Sequence, residues 1–166
     1  ASAFLALKGS PGVAPNLPIV LPVDFLPVAM FTLQPMFIGV SHQLGVKTVA
    51  ELITLAKQKP GTLNFSSAGN GTTLHLTAEL FKSMAGINIV HVPYKGQAPA
   101  LNDLLGGQID VLCDQTTNTL AYIESRKIKA YAVTSNKRLP QAALKDLPTL
   151  QEVGLKGFQV SVWHAV

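Results

Sequence analysis

The segment from Ser66 to Thr73 holds the residue types best suited to binding an anion. It contains two glycines, two serines, two threonines and one asparagine, and it lies between a strand-like run and a helix-like run. The first amides of a helix lack partners within the helix and carry partial positive charge. Gly69 and Gly71 let the backbone close around a ligand. The side chains that add hydrogen-bonding groups are those of Ser67, Asn70, Thr72 and Thr73.

This loop also fits a simpler role, an ordinary tight turn followed by a helix cap. That role needs one glycine and one threonine, whereas seven of the eight residues here are polar or glycine, so a binding site is favoured. The loop lacks the Gly-Lys-Ser/Thr of a P-loop, and Leu74 occupies the position of the third glycine in a dinucleotide fingerprint. A small anion such as a carboxylate is therefore better supported than a phosphate.

Two further residues lie at the ends of predicted strands, where ligands bind in parallel sheets. Asp114 can accept hydrogen bonds from a ligand or a bridging water, and it can equally cap the helix predicted from Thr116. Tyr94 can line a cleft or simply pack. Cys113 lies in an apolar run and is interpreted as an inert core residue. Catalysis and metal binding have little support, because the chain has no Gly-x-Ser-x-Gly elbow and its histidines lack metal-ligand spacing.

Short apolar runs alternate with helical segments along the chain. This alternation predicts an α/β fold with a mostly parallel sheet and helices on both faces. Capping boxes at Thr48–Glu51 and Thr149–Glu152 each mark a helix start. Helices are predicted at 48–59, 72–84, 98–105, 116–125 and 149–153, and strands at 28–33, 36–40, 63–66, 87–92, 109–113, 128–134 and 158–163.

Composition excludes several classes of protein. Of the 166 residues, 48% are hydrophobic and 13% are charged, which excludes intrinsic disorder, and a single cysteine excludes a disulfide scaffold. The net charge of +4 is spread without a Lys/Arg-rich run, so nucleic acid is not an expected partner. The nearly uncharged stretch 19–40 contains three prolines and Asp24, so we do not expect it to insert into a membrane.

Three blocks of residues in a fixed order carry a resemblance to a known family. The blocks are Leu63 to Thr73 with His75-Leu76, Glu79 to Lys82 and Gly86; Ile89 to Gly96 with Pro99 to Leu101, Asp103 to Gln108 and Asp114; and Ala132 to Ser135 with Arg138, Leu147 to Thr149, Glu152, Gly154 and Gly157-Phe158. Over residues 27–163, the chain resembles the extracytoplasmic solute receptors of tripartite tricarboxylate transporters, the Bug family.

The resemblance implies a periplasmic binding protein of type II architecture, with two α/β lobes and a cleft between them. The implied ligand is a small carboxylate, often a dicarboxylate or an acidic amino acid, and the implied partners are membrane transporter subunits. Neither an enzymatic activity nor a cofactor is implied. Carried onto this chain, the ligand-binding residues are Ser67, Ala68, Gly69, Asn70, Gly71, Thr72 and Thr73, with Asp114 ordering a ligand or water contact and Tyr94 beside the cleft.

The same resemblance implies a division of the chain, which lacks the family's opening ligand loop and its closing helices. We expect residues 1–40 to be a remnant of the first lobe with a crossover strand, residues 41–157 to be the complete ligand-binding lobe, and residues 158–166 to be a return strand, so that the chain is truncated at both ends. The alternative is an enzyme domain that uses the Ser66–Thr73 loop on a phosphorylated or carboxylated substrate, with His75 or Asp114 as its base.

Overall fold

The computed structural model describes residues 30–165, and side chains from residue 34 to residue 162. The expectations for residues 1–29, including the start of the strand predicted at 28–33, lie outside the described residues. A short 3-10 helix spans His42–Leu44. The strands are β1 (Met30–Val40), β2 (Asn64–Ser67), β3 (Val90–Pro93), β4 (Val111–Gln115), β5 (Lys129–Val133) and β6 (Ser161–Ala165), and the helices are α1 (Val49–Gln58), α2 (Thr73–Ala85), α3 (Gln97–Leu105) and α4 (Thr116–Glu124).

Five of the strands form a sheet in the order β3-β2-β4-β1-β5. β2 runs parallel to β3 and β4, whereas β1 runs antiparallel to β4 and β5. Four of these five strands therefore point the same way, which confirms the predicted α/β class with a mostly parallel sheet. The carboxyl ends of β2, β3 and β4 meet at one edge of the sheet, and this edge carries the loop that follows Ser67.

β1 is one continuous strand, although the sequence predicted two strands separated near Pro35. The strand changes partners at that proline. Residues up to Pro35 pair with β6, and residues from Met36 onward pair with β4 and β5. Proline has no N–H to donate, and the following amide, that of Met36, donates to Thr134 Oγ1 at 3.0 Å. Pro35 therefore marks the passage from one ladder to another and does not end the strand.

Two apolar clusters lie on opposite faces of the sheet. α1 and α2 pack on the face that carries Phe65 and Cys113, while α3 packs on the face that carries Phe37 and Leu112, where Tyr122 of α4 is partly buried. Side chains alternate along each strand, which produces this split. Helices thus cover both faces, as predicted. Burial raises the pKa of the Cys113 thiol, in agreement with its interpretation as an inert core residue.

The two predicted capping boxes differ in outcome. At the first, the Glu51 N–H donates to Thr48 Oγ1 at 3.1 Å, and α1 follows as predicted. At the second, both reciprocal bonds form between Thr149 and Glu152, at 3.2 and 2.7 Å. Only turns follow, and Gly154 has a φ of 103°. The predicted helix at 149–153 is therefore wrong, because a cap does not supply the length that a helix needs.

Candidate functional site

The predicted anion loop joins the end of β2 to the start of α2. Thr72 is the N-cap of α2, and its side chain accepts a hydrogen bond from the His75 N–H at 3.4 Å. Gly69 and Gly71 have φ values of 135° and 73°, which residues with a Cβ rarely adopt. The two glycines therefore allow the chain to pass from a strand almost directly into a helix.

Two hydroxyl groups brace this loop from within. Thr72 Oγ1 donates to the Gly69 carbonyl at 2.8 Å, and Ser67 Oγ lies 3.0 Å from the same carbonyl. The Gly69 N–H donates to Ser67 Oγ at 3.2 Å, and Ser67 is fully buried. Because these bonds occupy both hydroxyls, the donors left for a ligand are mainly backbone amides.

Several backbone N–H groups of the segment are free to meet an anion. They have no hydrogen-bond partner within residues 30–165, and they lie in the loop or in the first turn of the 13-residue helix α2. The aligned peptide dipoles of a helix place partial positive charge at this end. Asn70 is exposed to solvent. The unpartnered amides are those of Ala68, Asn70, Thr73 and Leu74.

Asp114 lies in β4, at the same edge of the sheet, and is fully buried. Its Oδ1 accepts hydrogen bonds from the Gln115 N–H at 2.6 Å and from Asn118 Nδ2 at 3.5 Å, whereas Oδ2 has no partner in the described part of the chain. Burial raises the pKa of this carboxyl to about 6, and its hydrogen bonds oppose the rise. The N-cap of α4 is Gln115, so helix capping does not account for Asp114.

Asp114 belongs to a group of buried polar side chains on the α3 face of the sheet. Ser66 pairs with Leu112 in the β2–β4 ladder, and alternation along the strands places Ser66 and Asp114 on the α3 face with Leu112. The amide of Gln97, the first residue of α3, faces Asp114 closely enough to oppose the rise in its pKa. The contact between Gln97 and Asp114 does not reach hydrogen-bond geometry. Ser66 Oγ, Asp114 Oδ2 and both polar atoms of the Gln97 side chain therefore have no hydrogen-bond partner among the described residues. Buried polar atoms are normally paired, so this group is a candidate for contact with a water or a ligand.

Tyr94 follows β3 and ties the loop to α3. Its N–H donates to the Ser67 carbonyl at 3.0 Å, and its hydroxyl donates to Asp103 Oδ2 at 2.5 Å. Burial and the neighbouring Asp103 carboxylate raise the pKa of Tyr94 to about 12. The side chain packs against α3, the second of the two roles considered from the sequence, while the backbone holds the end of β2.

Two histidines that the sequence did not place in the binding site contact the loop. His91 Nε2 lies 2.7 Å from Ser67 Oγ, and His75 Nδ1 accepts the Gly71 N–H at 3.1 Å. His75 lies three residues after the N-cap, a spacing that the sequence displays. The position of His91 depends on the pairing of β2 with β3, for which the sequence holds no local signal. Gln97 was also missed, because its position near Asp114 depends on how α3 packs on the sheet.

Within residues 30–165, we find no group of three or more His, Cys, Asp or Glu side chains arranged to hold a metal ion. None of the helices described is long and apolar enough to cross a membrane.

Comparison with known proteins identifies similar chains. A family model described as the tripartite tricarboxylate transporter family receptor matches residues 3–166. The periplasmic binding protein BugD is 44% identical, with a TM-score of 0.79 over 86% of this chain and 47% of its own. The Rpa4515 protein of R. palustris, solved with adipate, is 39% identical, with a TM-score of 0.78 over 82% and 45%. MatC from Rhodopseudomonas palustris, with bound malate, is 31% identical, with a TM-score of 0.84 over 99% and 53%.

The chain spans less than half the length of the first curated relatives that it matches. It is 43%, 36% and 36% identical to three of them and covers 43%, 45% and 48% of their lengths. More than half of each of these relatives therefore lies outside the match.

Proposed function

Since the chain belongs to the family of tripartite tricarboxylate transporter receptors, we propose that it supplies the carboxylate-binding lobe of a periplasmic solute receptor. The observation that carries this proposal is the loop together with the first turn of α2, where four N–H groups have no partner in the described part of the chain. Such amides at a helix N-terminus favour anions. The segment from Ser66 to Thr73 contains no lysine or arginine, so backbone dipoles would hold the carboxylate.

The proposed roles divide the loop into donors and supports. The amides of Ala68, Asn70 and Thr73 bind one carboxylate, which is consistent with their lack of partners. Gly69 and Gly71 provide the backbone conformation that brings these amides together. The remaining members of the predicted site act as supports: the hydroxyls of Ser67 and Thr72, and the backbone of Tyr94.

The buried polar group on the α3 face serves the rest of the ligand. Asp114 has one unpartnered carboxylate oxygen, and Ser66 and Gln97 bring further unpartnered polar atoms to the same face. A hydroxyl or amine of the ligand, or a water that the ligand orders, would satisfy Asp114. The ligands bound by Rpa4515 and MatC, adipate and malate, have two carboxylates each, so a dicarboxylate is the ligand class that we propose.

The division into lobes is also part of the proposal. Residues 41–157 would form one lobe, completed by residues 36–40 of β1, which lie between β4 and β5. The rest of residues 1–40 and residues 158–166 would connect it to a second lobe. The pairing of β1 with β6 supports this arrangement, because it joins the two segments beyond the five-stranded sheet. The family and the periplasmic protein BugD support a periplasmic location and transporter subunits as partners.

An enzymatic role for the loop is not favoured. Ser67, the hydroxyl nearest to a histidine, is fully buried and bonds within the loop, so it is poorly placed to attack a substrate. The family that matches the chain is a receptor family.

A pair of glycine variants tests the proposal. Gly71 has a φ of 73°, and Gly45, which ends the 3-10 helix, has a φ of 75° with open space around an added Cβ. Gly45→Ala should cost about 1 kcal/mol in the free energy of unfolding, and Gly71→Ala, at a buried position, at least as much, because both force a Cβ into left-handed backbone. Only Gly71→Ala should weaken malate or adipate binding, by about tenfold or more.

Binding is measured by following the loop amide resonances in NMR titrations with malate, with adipate and with an uncharged diamide of similar length. The proposal predicts saturable shifts at Ala68, Asn70 and Thr73 with the dicarboxylates. Equal weakening by Gly71→Ala and Gly45→Ala, or equal shifts with the uncharged diamide, would refute it.

A further inference from the structure

Three aromatic rings stack beneath the anion loop. The ring centroids of Phe65 and His91 are 4.8 Å apart, and those of His91 and His75 are 4.0 Å apart, with interplanar angles of 21° and 19°. The rings come from β2, β3 and α2, so the stack joins the three elements that surround the loop. The proposed receptor function uses neither of the two histidines at the centre of the stack.

Each histidine makes a hydrogen bond to one end of the loop. His91 Nε2 lies 2.7 Å from Ser67 Oγ, at the start of the loop. His75 Nδ1 accepts the N–H of the buried Gly71, near its end, at 3.1 Å. Ser67 in turn contacts Gly69 through its hydroxyl. The two rings therefore hold the loop at both ends, in the conformation that leaves its other amides free.

The protonation of these rings is constrained by the bonds that they make. A nitrogen accepts a hydrogen bond only when it carries no proton, and an imidazolium donates from both nitrogens. A proton on His75 Nδ1 would therefore face the Gly71 N–H, and that bond would be lost. Two positive charges on rings 4.0 Å apart would also repel each other. Burial, followed by the neighbouring His75, lowers the pKa of His91.

The charged groups near the pair are few. On α2, Glu79 Oε1 lies 3.8 Å from His75 Nε2, and Lys82 Nζ lies 2.8 Å from the same carboxylate and 5.4 Å from the centroid of Phe65. Glu79 raises the pKa of His91 and Lys82 lowers it. The segment of β2 that packs against the pair, Asn64–Ser67, carries no titratable side chain. The lysine therefore offsets the one carboxylate that favours a charged ring.

We propose that His75 and His91 are positioning residues that hold the loop in its anion-binding form only while the pair is uncharged, so that carboxylate affinity falls as acid protonates the pair. The inference rests on the proposed binding role of the loop. A charged ring would also attract an anion through space, which would raise affinity in acid. Direct loss of the bond to Gly71 outweighs that attraction, because it displaces the backbone that carries the donors.

The first test needs no ligand. We expect the imidazole nitrogens of His91 and the amides of Gly69 and Gly71 to shift together in an NMR pH series, with the midpoint for His91 below the usual value of histidine. His75→Asn places an amide oxygen where Nδ1 lies, and His91→Gln places an amide group where Nε2 lies, and neither titrates. The double variant should keep the loop amide shifts of neutral pH down to about pH 5. His42→Asn is the control, since His42 is exposed and bonds the Arg126 carbonyl instead.

The second test measures malate affinity in the wild type and the double variant, which cancels the titration of malate itself. Between about pH 7.5 and pH 5.5, the wild type should lose about fivefold to tenfold more affinity than the double variant. Loop amides that titrate equally in both proteins, or wild-type affinity that rises relative to the variant, would overturn the proposal. If malate fails to bind at any pH, the proposed function is at fault, and the ligand-free titration still decides the role of the histidines.

Discussion

Asp114 is the residue whose ionisation should be visible in the stability of the protein. Burial raises its pKa from 3.8 to about 6, so between these values the folded state holds a proton that the unfolded state releases. Wild-type stability should therefore be greatest below this window and fall as pH rises through it. We expect Asp114→Asn, which cannot ionise, to gain up to about 3 kcal/mol relative to wild type between pH 4 and pH 7.

Chemical denaturation across this pH range measures the difference. Asp146→Asn serves as the control. Asp146 is exposed, so this substitution removes one carboxylate without disturbing the core. The difference from wild type should change with pH more for Asp114→Asn than for Asp146→Asn. A difference that does not change with pH for Asp114→Asn would mean that Asp114 is ionised without cost, and a partner for Oδ2 would then have to be sought.

The candidate site could be predicted best where its residues act on the backbone next to them in the sequence. Gly69 and Gly71 have positive φ values and Thr72 caps a helix, and these roles leave local signatures of glycine and threonine. Gln97 and His91 act across strands and helices distant in sequence. Their residue types are unremarkable where they stand, so their contribution depends on packing that no local pattern encodes.

At the level of elements, malate binding should be more sensitive to a substitution at the start of α2 than to one at the start of α1. Thr72 and Thr48 are both N-caps, and both accept hydrogen bonds from helix N–H groups, at 3.4 and 3.1 Å. Replacing either with alanine should cost about 1 kcal/mol in the free energy of unfolding. Thr72 also donates to the Gly69 carbonyl at 2.8 Å, so only Thr72→Ala should weaken malate binding.

Thermal or urea unfolding gives the first quantity, and NMR titration with malate gives the second. Thr72→Ser, which retains the hydroxyl, should restore most of the affinity that Thr72→Ala loses. If alanine at residue 48 weakens binding as much as alanine at residue 72, the effect would come from general destabilisation and not from the loop.

Local sequence patterns predict where an element has a boundary better than they predict which strands pair or how long a helix becomes. Pro35 suggested a break between two strands, and it does mark a boundary, but the boundary lies between two ladders of one strand. The bonds of Thr149 with Glu152 form as expected, yet turns follow. A proline or a cap constrains the backbone beside it, whereas partners and element length are set by the rest of the fold.

At the scale of the whole molecule, β1 connects the five-stranded sheet to the antiparallel pair that it forms with β6. Its second half lies inside the five-stranded sheet between β4 and β5, and its first half pairs with β6 outside that sheet. The loop before α2 and the group around Asp114 lie at the edge where β1 enters the sheet, since Met36 is paired with Gln115. A second lobe attached through β1 and β6 would thus face the candidate site.

This arrangement leads to a prediction about affinity. Each hydrogen bond from an amide to a carboxylate contributes about 1.5–3 kcal/mol, and association costs about 4–15 kcal/mol. The three amides assigned to the carboxylate would together supply about 4.5–9 kcal/mol, which leaves at most about 5 kcal/mol net after the cost of association. That corresponds to a dissociation constant near the millimolar range or weaker, because micromolar binding needs about 8 kcal/mol net. We expect the 166-residue chain to bind malate at least about a hundredfold more weakly than MatC under identical conditions.

MatC is the suitable comparison, because it carries bound malate and this chain covers 53% of its length. Calorimetry of MatC and NMR titration of the chain give the two constants, and micromolar binding by the chain alone would mean that the site is complete within it.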